Sequence, residues 1–445
     1  MKGRFWLGGR HYIMNEVYAG IDIGSSKVCT ILGELGRNNE LQILGVGMSG
    51  CNGLKKGIVI DVDATAEAIR SSVRQAERMS NMEIESAYIN IAGGHVKLIK
   101  NNGVIAVSRG NREIGTDDIE RVLRAAKVVS IPVDREVIGI IPIQFTVDGY
   151  EHIKDPVGMV GTRLEAEASI ITAPTSTVQN LIKSVERAGI DVSGLVIDSL
   201  SLAELLLTRD EKEMGIAVVD VGAEVTDISV FINNTLVYTK LIPIGGFHIT
   251  NDISLGLKIP TSEAEILKRQ YGYASVSMVE SKDDIIINNT DTNKNSNLNI
   301  GSNAAASSKW NRTITSSELV DIIEARVNEI IYLINRELII SGYKERIPGG
   351  LVITGGGISY IKGITHYASS MINLPVRIGS PSYLGVSTPV YSTGTGIVKY
   401  ILSSKKKSVS REYEEDYEDS SISKLEKQNS EKFIDKLKNF FSDFF

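Results

Sequence analysis

Two short segments of this chain each combine an aspartate, a glycine turn and small or hydroxyl residues in a way that could bind phosphate. The first reads Tyr-Ala-Gly-Ile-Asp-Ile-Gly-Ser-Ser-Lys-Val-Cys over residues 18–29, and the second reads Val-Val-Asp-Val-Gly-Ala-Glu-Val-Thr-Asp over residues 218–227. Each has an apolar run on both sides of the turn, which predicts a β-hairpin. Such a turn offers backbone N–H groups to an anion, and its glycine lets a phosphate come close. Two of these hairpins facing each other could hold a nucleoside triphosphate, with Asp22 and Asp220 holding Mg2+ through water.

A third segment adds a site for the nucleoside. Residues 351–354 form an apolar run that ends in Gly355, Gly356 and Gly357. Such a turn lets the backbone lie flat against a base or ribose, although a tight strand-to-helix link has the same composition. The sequence contains neither a Gly-x4-Gly-Lys-Ser/Thr loop nor a Gly-x-Gly-x-x-Gly motif after its first strand. The order phosphate, phosphate, nucleoside resembles the superfamily of actin, DnaK-type chaperones and sugar kinases.

Composition sets the broader limits. With 445 residues, 42% of them hydrophobic and 23% charged, the chain should form two or more soluble domains. Its net charge of −6 argues against a nucleic-acid partner recognised through bulk charge. Cys29 and Cys51 have no metal-binding spacing and are expected to be reduced thiols of a cytoplasmic protein. The sequence has no run of about 18 apolar residues, the length needed to span a bilayer.

Helical and strand periodicity predicts the elements that must position these turns. A small α+β insert is expected near residues 86–166, and a second domain from Gly215 onward. A flexible excursion is expected where asparagine, serine, aspartate and lysine dominate, at residues 281–309. The predicted elements include strands at 17–23, 27–34 and 41–48, a hairpin over 96–107, and helices at 63–78, 116–127 and 316–340.

The last fifteen residues, 431–445, follow a charged linker. At about 100° per residue their apolar side chains fall in one sector, and polar side chains fill the rest. This pattern is typical of an interfacial helix lying in a membrane surface. A helix docked on the protein itself is the alternative, but it would need no polar tether. The predicted membrane-facing residues are Phe433, Ile434, Leu437, Phe440, Phe441, Phe444 and Phe445.

Together these features resemble the FtsA family of bacterial cell-division proteins over nearly the whole chain. Residues 153–165 are similar to the family's Asp-Pro-x-Gly-Met-x-Gly-x-Arg-Leu segment. Residues 242–253 are similar to its Pro-Leu-Gly-Gly-x-x-Ile-Thr-x-Asp-Ile segment. Sugar kinases and DnaK-type chaperones lack both segments, so the resemblance is specific within the superfamily.

The resemblance implies an α/β, actin-like (ribonuclease H-like) two-domain fold with a subdomain 1C insert, a flexible linker and a C-terminal amphipathic helix. The expected parts are a disordered N-terminal extension at 1–14, subdomain 1A at 15–84 and 169–199, and subdomain 1C at 85–168. They continue with subdomain 2A at 200–245 and 336–400, subdomain 2B at 246–335, the linker at 401–430 and the terminal helix at 431–445.

The same resemblance implies ATP with Mg2+ in the interdomain cleft and self-association into short filaments on an anionic membrane surface. The protein would be peripheral, on the cytoplasmic face of the membrane at the division site. Subdomain 2B would bind the C-terminal peptide of FtsZ, with Arg326 and Glu329 as candidate contacts. The alternative for this pair is a solvent-facing i,i+3 ion pair. Other division proteins could dock on subdomain 1C.

Site roles follow residue by residue from the resemblance. Glu265 and Lys268 match positions near the ribose and base, and Gly245 and Gly246 match the two glycines of the family's Pro-Leu-Gly-Gly segment. The expected nucleotide-binding residues are Asp22, Gly24, Ser25, Ser26, Lys27, Asp220, Gly222, Ala223, Thr226, Gly245, Gly246, Glu265, Lys268, Gly355, Gly356 and Gly357.

Two departures from the pattern lead us to expect slow ATP hydrolysis. The second turn reads Gly-Ala-Glu where the superfamily favours Gly-Gly-Gly, so Ala223 and Glu224 should loosen the phosphate approach. Asp198 stands where the family usually has glutamate, and this shorter carboxylate is the candidate catalytic, water-orienting group. We therefore expect an ATP-binding protein that is not a metabolic enzyme.

Two other functions fit the same fold. An ATP-dependent small-molecule kinase would need a substrate pocket with its own base and leaves the Phe-rich tail without a role. A pilus-platform protein of the PilM kind binds a membrane-protein tail, and the terminal amphipathic helix argues against it.

Overall fold

Two five-stranded sheets of the same design carry the two predicted phosphate turns. A computed structural model describes residues 16–36, 40–108, 110–279, 284–288 and 311–418 of the chain. The expectations for residues 1–14 and 431–445, and most of those for 281–309, lie outside these ranges. We call residues 16–197 the first lobe and residues 216–378 the second lobe.

The first lobe contains both a central sheet and an inserted one. Its elements are β1 Val17–Ile23, β2 Lys27–Leu35, β3 Leu41–Gly50, β4 Leu54–Lys55, β5 Ile58–Val59, α1 Val62–Ser80, β6 Ser86–Ile91, β7 Lys97–Ala106, α2 Thr116–Ala126, β8 Arg135–Val147, β9 Tyr150–Ile153, β10 Arg163–Pro174, α3 Thr175–Arg187 and β11 Asp191–Ile197.

Two short helices lead from the first lobe into the second, and a long helix returns. The remaining elements are α4 Asp198–Leu206, α5 Arg209–Met214, β12 Ile216–Val221, β13 Thr226–Ile232, β14 Thr235–Ile242, α6 Gly246–Leu257, α7 Thr261–Tyr271, β15 Asp284–Asn288, β16 Asn311–Thr315, α8 Ser316–Ile340, β17 Leu351–Thr354, α9 Ile364–Ile372, β18 Val376–Ile378 and α10 Ser392–Glu418.

The central sheets of the two lobes repeat one topology. The first has the strand order β11-β6-β1-β2-β3 and the second has β14-β13-β12-β17-β18. In both, an antiparallel hairpin carries the predicted turn, and a parallel strand flanks the hairpin's first strand. Nearly every residue of β12 and β13 is buried, as expected for sheets covered by helices on both faces. The two turns therefore sit at equivalent edges of two similar sheets.

Helices α4 and α10 join the lobes. Helix α10 packs against α4 and against β1 of the first lobe. The approach is close because glycine faces it: a Cβ on Gly396 would lie 2.6 Å from the Ser201 carbonyl oxygen, and one on Gly20 would lie 3.1 Å from the Gly394 carbonyl oxygen. Small residues at these crossings let the helices rest directly on the sheet and on each other.

The insert of the first lobe is a four-stranded sheet of order β7-β10-β8-β9 with α2 packed against it. The predicted hairpin over 96–107 is wrong, because Lys97–Ala106 is one continuous strand. Asn101, Asn102 and Gly103 resemble a turn, yet they pair in register with β10. Gly103 is needed there because α2 crosses it, and a Cβ would lie 2.1 Å from the Val122 carbonyl oxygen.

Two stretches expected to lack regular structure contain it. Asp284–Asn288 pairs antiparallel with β16, and both Ile285 and Ile314 are buried in the core of the second lobe. Helix α10 continues through the first part of the charged segment to Glu418. In both places the polar composition suggested a flexible segment. The strand is stabilised by pairing with β16, and the helix is a continuation of α10.

The predicted long helix is observed as α8, over Ser316–Ile340. Its N-terminus has a capping box, since Thr315 accepts a hydrogen bond from Glu318 N–H and the Glu318 carboxylate accepts one from Thr315 N–H. Its apolar stripe joins the core of the second lobe. Among the helices in the described ranges, none is long and apolar enough to cross a membrane.

Candidate functional site

The first predicted turn is a tight four-residue hairpin turn between β1 and β2. Gly24 N–H donates to the Lys27 carbonyl oxygen at 2.9 Å, and Ile23 N–H donates to Asn90 Oδ1 at 2.7 Å. Ser25 Oγ accepts a hydrogen bond from Gly57 N–H at 3.1 Å. The Lys27 ammonium contacts the Val390 carbonyl oxygen, just before α10. This turn therefore presents one cation and two hydroxyl groups, those of Ser25 and Ser26.

The second turn repeats this backbone between β12 and β13. Gly222 N–H donates to the Val225 carbonyl oxygen at 2.9 Å, as Gly24 does in the first turn. The start of α6 supports it from behind, because Gly246 N–H donates to the Gly222 carbonyl oxygen at 2.9 Å and Phe247 N–H to that of Ala223 at 2.7 Å. The side chains differ from the first turn, however, since here they are Ala223 and an anionic Glu224.

One cleft between the lobes brings the two turns and the glycine segment together. The cleft is lined by residues of both hairpin turns and by two of the three consecutive glycines. Of the residues named from sequence, those lining the cleft are Asp22, Gly24, Ser25, Ser26, Lys27, Asp198, Asp220, Gly222, Ala223, Glu224, Gly355 and Gly356.

Three carboxyl groups, those of Asp22, Asp198 and Asp220, line this cleft, and the buried Asp227 lies close enough to influence them. Burial raises the pKa of Asp22, and it raises the pKa of Asp220 to about 6 and that of Asp227 to about 7. Burial also raises the pKa of Asp198 well above its usual range, and the neighbouring carboxylates raise it further. Burial is the main cause of these pKa shifts, and the Lys27 ammonium opposes them at Asp22 and Asp220.

Asn90 lies between two of these carboxyl groups. Its Nδ2 donates to Asp22 Oδ1 at 3.3 Å and to Asp198 Oδ2 at 3.4 Å. Asp198 Oδ1 is buried and has no hydrogen-bond partner among the described residues. A buried oxygen of this kind is costly unless something else binds it. The floor of the cleft is therefore suited to receive a cation or a water held by one.

The glycine segment meets the second turn directly. Gly355 has φ +88°, and a Cβ there would lie 2.1 Å from Asp220 Oδ1. A Cβ on Gly357 would lie 2.4 Å from the Gly222 carbonyl oxygen, so this residue packs behind the turn. Gly356 has more space, since the nearest atom to its Cβ position is Val390 Cγ2 at 3.3 Å. Only a backbone without side chains can pass so close to the second turn.

The other residues named from sequence lie behind the cleft lining. Thr226 donates from Oγ1 to the Ile244 carbonyl oxygen at 2.8 Å. Lys268 is 3% exposed, and its ammonium donates to the Gly246 carbonyl oxygen at 3.1 Å and lies 2.7 Å from Glu265 Oε2. Burial lowers the pKa of Lys268, while Glu265 opposes that shift. With Gly245, these residues fix the start of α6 against the second turn.

Arg326 and Glu329 lie away from this cleft, on α8. Arg326 Nε and Nη2 donate to Asp252 of α6 at 2.6 and 3.1 Å, and the same guanidinium also contacts Glu329. The i,i+3 ion pair considered as an alternative is therefore present, and Asp252 joins it. The three side chains tie α6 to α8 at the surface of the second lobe.

Three features of the site were missed from sequence, although each had some signal. Asp227 lies in the quoted second segment and pairs across the hairpin with Asp220. Asn90 is the one amide within the apolar run of β6. The turn of Lys56 and Gly57 between β4 and β5 gave a weaker signal, because a lysine before a glycine is common in loops.

Comparisons with known proteins agree with the resemblance described above. The family model described as "Cell division protein FtsA" matches residues 217–396, and the one described as "SHS2 domain inserted in FTSA" matches residues 93–172. The cell division protein FtsA of Bacillus subtilis (strain 168) is 40% identical over 386 residues, covering 87% of this chain and 83% of that protein. The Pseudomonas aeruginosa FtsA is 34% identical over 390 residues, covering 86% and 89%.

A solved structure shares the fold at low sequence identity. The "PilM-PilN type IV pilus biogenesis complex" contains a chain with a TM-score of 0.54 and 14% identity, covering 86% of this chain and 97% of that chain. At that identity the likeness concerns the fold alone. With the SHS2 insert between β6 and β11, it confirms the predicted actin-like α/β fold for the described residues.

Proposed function

The chain belongs to the FtsA family of cell-division proteins, and from this premise we propose that it binds ATP, polymerises on the inner face of the cell membrane and tethers FtsZ filaments there. The observation that carries the nucleotide part is the pair of matched turns. Gly24 N–H bonds to Lys27 and Gly222 N–H bonds to Val225 with the same 2.9 Å geometry, and both turns line one cleft.

In this proposal each turn contacts a different side of the triphosphate. The first turn supplies the Lys27 ammonium and the hydroxyl groups of Ser25 and Ser26. The second supplies the backbone N–H groups of Ala223 and Glu224, in a turn held in place by the start of α6. Gly355 and Gly356 leave a flat backbone surface for the nucleoside. Charged phosphate oxygens gain most from such fixed donors in a cleft that excludes water.

The carboxyl groups at the floor of the cleft fit Mg2+. Asp198 Oδ1 lacks a partner among the described residues, and burial raises the pKa of Asp22 and Asp220. A bound divalent ion would neutralise charge on the phosphates and on these carboxylates. The described residues contain no group of three side chains placed to bind a metal directly. The proposal therefore has Asp22 and Asp220 act through water.

We propose that ATP hydrolysis is slow because Asp198 is a poor base. Burial and the neighbouring carboxylates hold its pKa well above the usual range, which disfavours the charged form that a base needs. A protonated carboxyl group can orient a water molecule but cannot take a proton from it. Nucleotide would then serve mainly to stabilise the closed cleft and the contacts between filament subunits.

The proposed FtsZ-binding surface lies where α6 meets α8, within residues 246–335. Glu329 is about half exposed there, and Arg326 holds α6 against α8 through Asp252. Arg326 thereby shapes the surface as well as offering its own charge. The insert between β6 and β11, proposed as subdomain 1C over 85–168, would be the docking site for other division proteins.

The proposed membrane anchor is the segment 431–445, joined to the body by the charged residues of 401–430. Its support is the sequence pattern, in which Phe433, Leu437, Phe440 and Phe444 recur at helical spacing. Binding by one short segment should be weak. Several copies on one filament would strengthen it by avidity, so polymerisation and membrane binding should support each other.

The two alternatives are less well supported. The structural likeness to a PilM-containing complex is one of fold, at 14% identity, while relatives at 31–40% identity over most of the chain are FtsA proteins. A small-molecule kinase needs a base in the cleft, and the buried Asp198 is ill suited to that role.

Co-sedimentation with anionic vesicles tests the proposal as a whole. The full chain and a chain ending at Lys427 are each mixed with ATP, Mg2+ and FtsZ, and the pelleted protein is measured. We expect the full chain to pellet with vesicles and to bring FtsZ with it, and the shortened chain to leave both in solution. A matched control is Phe440→Glu against Asp443→Asn, of which only the first should lose the vesicles. Equal pelleting of both chains would overturn the membrane part.

A further inference from the structure

We infer that Glu224 fastens the second phosphate turn to the first lobe and thereby slows the release of nucleotide from the cleft. This inference rests on the proposed ATP binding and adds to it a residue that controls exchange. It starts from the departure noted in the sequence, a glutamate where the superfamily favours glycine.

The partner of Glu224 is a two-residue hairpin turn in the first lobe. Lys56 and Gly57 join β4 to β5 with φ +52° and +76°, the left-handed conformations that a tight β-hairpin turn requires. Gly57 has no room for a side chain, because a Cβ would lie 2.8 Å from His95 Nε2. The left-handed backbone at both positions directs the two N–H groups of the turn toward the phosphate turns.

This hairpin turn contacts both phosphate turns at once. Gly57 N–H donates to Ser25 Oγ of the first turn at 3.1 Å. Lys56 N–H donates to Glu224 Oε2 of the second turn at 2.6 Å, across the cleft. The second bond is short and has a charged acceptor, the combination that makes a hydrogen bond strong. Opening the cleft at this edge must break it.

The position of this contact differs from that of a deeper one. Gly94 N–H donates to Asp227 Oδ2 at 3.0 Å, also between the lobes, but Asp227 is buried and is not among the residues that line the cleft. Glu224 is only half-buried and Lys56 is exposed, so their bond lies at the rim of the cleft. The deep contact can hold the lobes together as the rim opens, which leaves Glu224 to govern passage through the rim.

A carboxylate in a phosphate turn would by itself repel the ligand. Here the carboxylate accepts a hydrogen bond from the Lys56 backbone N–H. Because Glu224 accepts this hydrogen bond from the first lobe, its carboxylate repels a bound phosphate less strongly. The hydrogen bond between Lys56 N–H and Glu224 therefore forms only when the cleft is closed at the β4–β5 turn.

Nucleotide release from the full chain tests the inference. The chain is loaded with a fluorescent ATP analogue and Mg2+, then mixed with excess unlabelled ATP, and the release rate is followed by stopped flow. We expect Glu224→Ala to release the analogue about tenfold faster than the natural chain, from the loss of one charge-assisted hydrogen bond. Glu224→Gln, which keeps an acceptor without the charge, should fall between them.

The matched control is Lys56→Asn. Asparagine tolerates the left-handed turn and keeps the backbone N–H, but it removes the ammonium. Its release rate should equal that of the natural chain. A rate as fast as that of Glu224→Ala would overturn the inference, because side-chain charge rather than the backbone bond would then govern release.

A second readout needs no nucleotide. Hydrogen exchange of the Lys56 amide in the nucleotide-free chain should be faster in Glu224→Ala, and unchanged exchange would overturn the inference even if release rates differed. If the natural chain binds no ATP analogue at all, the proposed function fails and the inference fails with it. If it binds the analogue and Glu224→Ala releases it at the same rate, the inference alone fails.

Discussion

The two proposed phosphate turns, at residues 24–27 and 222–225, share one backbone hydrogen bond and differ in their side chains and in the residues packed behind them. In both, a glycine N–H donates to a carbonyl three residues later at 2.9 Å, after an aspartate at the end of a buried strand. The first turn presents Lys27, while the second presents Glu224. A repeated hairpin therefore fixes where the backbone donors point, and the side chains decide what each turn does with them.

The support behind the two turns differs as well. The first is backed by side chains, since Asn90 Oδ1 accepts from Ile23 N–H at 2.7 Å. The second is backed by glycine backbone, with Gly245, Gly246 and Gly357 packed against its carbonyl groups. A side-chain support can adjust by rotation, whereas a backbone support cannot. The second turn should accordingly be the more rigid and the less tolerant of added volume.

The largest expected effect tests this rigidity. A Cβ on Gly246 would lie 2.4 Å from the Gly357 Cα, whereas one on Gly24 would meet only the Lys27 carbonyl oxygen at 3.2 Å. We expect Gly246→Ala to lower the free energy of unfolding by about 2–4 kcal/mol and Gly24→Ala by less than about 1 kcal/mol. Urea denaturation of both variants measures the difference. Equal losses would mean that the two turns are supported alike.

The next effect tests the charge difference. Lys27→Ala removes the cation of the first turn, and we expect the ATP dissociation constant to rise about 10- to 100-fold, the range for losing a hydrogen bond between charged groups. Lys97→Ala, on exposed β7, is the control and should bind ATP normally. Calorimetric titration measures both. Unchanged affinity in Lys27→Ala would show that the first turn binds phosphate by its backbone alone.

The smallest effect concerns pH and the hairpin turn beside the first phosphate turn. Burial lowers the pKa of His95, which packs against Gly57, while the Lys56 backbone opposes that shift. The unfolded chain then binds this proton more readily than the folded chain, so stability is fully present above pH 6.5 and falls as the pH drops toward the lowered folded pKa.

We expect this proton to cost at most about 1.4 kcal/mol of unfolding free energy at pH 5.5. His95→Gln should remove it, so its stability relative to the natural chain should improve as the pH falls from 7.5 to 5.5. Thermal unfolding at the two pH values measures the change. A constant difference between the two chains would contradict the assignment.

A structural feature can be predicted from the sequence when the residues that form it lie close together in the chain. The turns at Gly24 and Gly222 were predicted because aspartate, glycine and two apolar runs lie within a dozen residues. The Lys56 contact with Glu224 joins residues that are 168 positions apart, and no short motif reports such a pair. Likewise Asn101 to Gly103 read as a turn, and only the crossing of α2 explains why they form part of a strand.

The roles of buried polar residues were the least predictable. Lys268 and Glu265 are predicted to approach the ribose and base, and that contact stays a prediction. In the structure their charges hold the start of α6 inside the second lobe. Sequence alone cannot tell a lysine that faces a ligand from one that faces a carbonyl group, because both need the same donor. The contacts that such a lysine makes inside the protein depend on the whole fold, which a short motif does not report.

The most direct test of the central claim, that both turns hold one nucleotide, is a calorimetric titration of the full chain with ATP and Mg2+. We expect one ATP per chain, and we expect Lys27→Ala in the first turn and Ala223→Leu in the second each to weaken ATP far more than AMP. Binding that depends on only one turn, or no saturable binding, would contradict the claim.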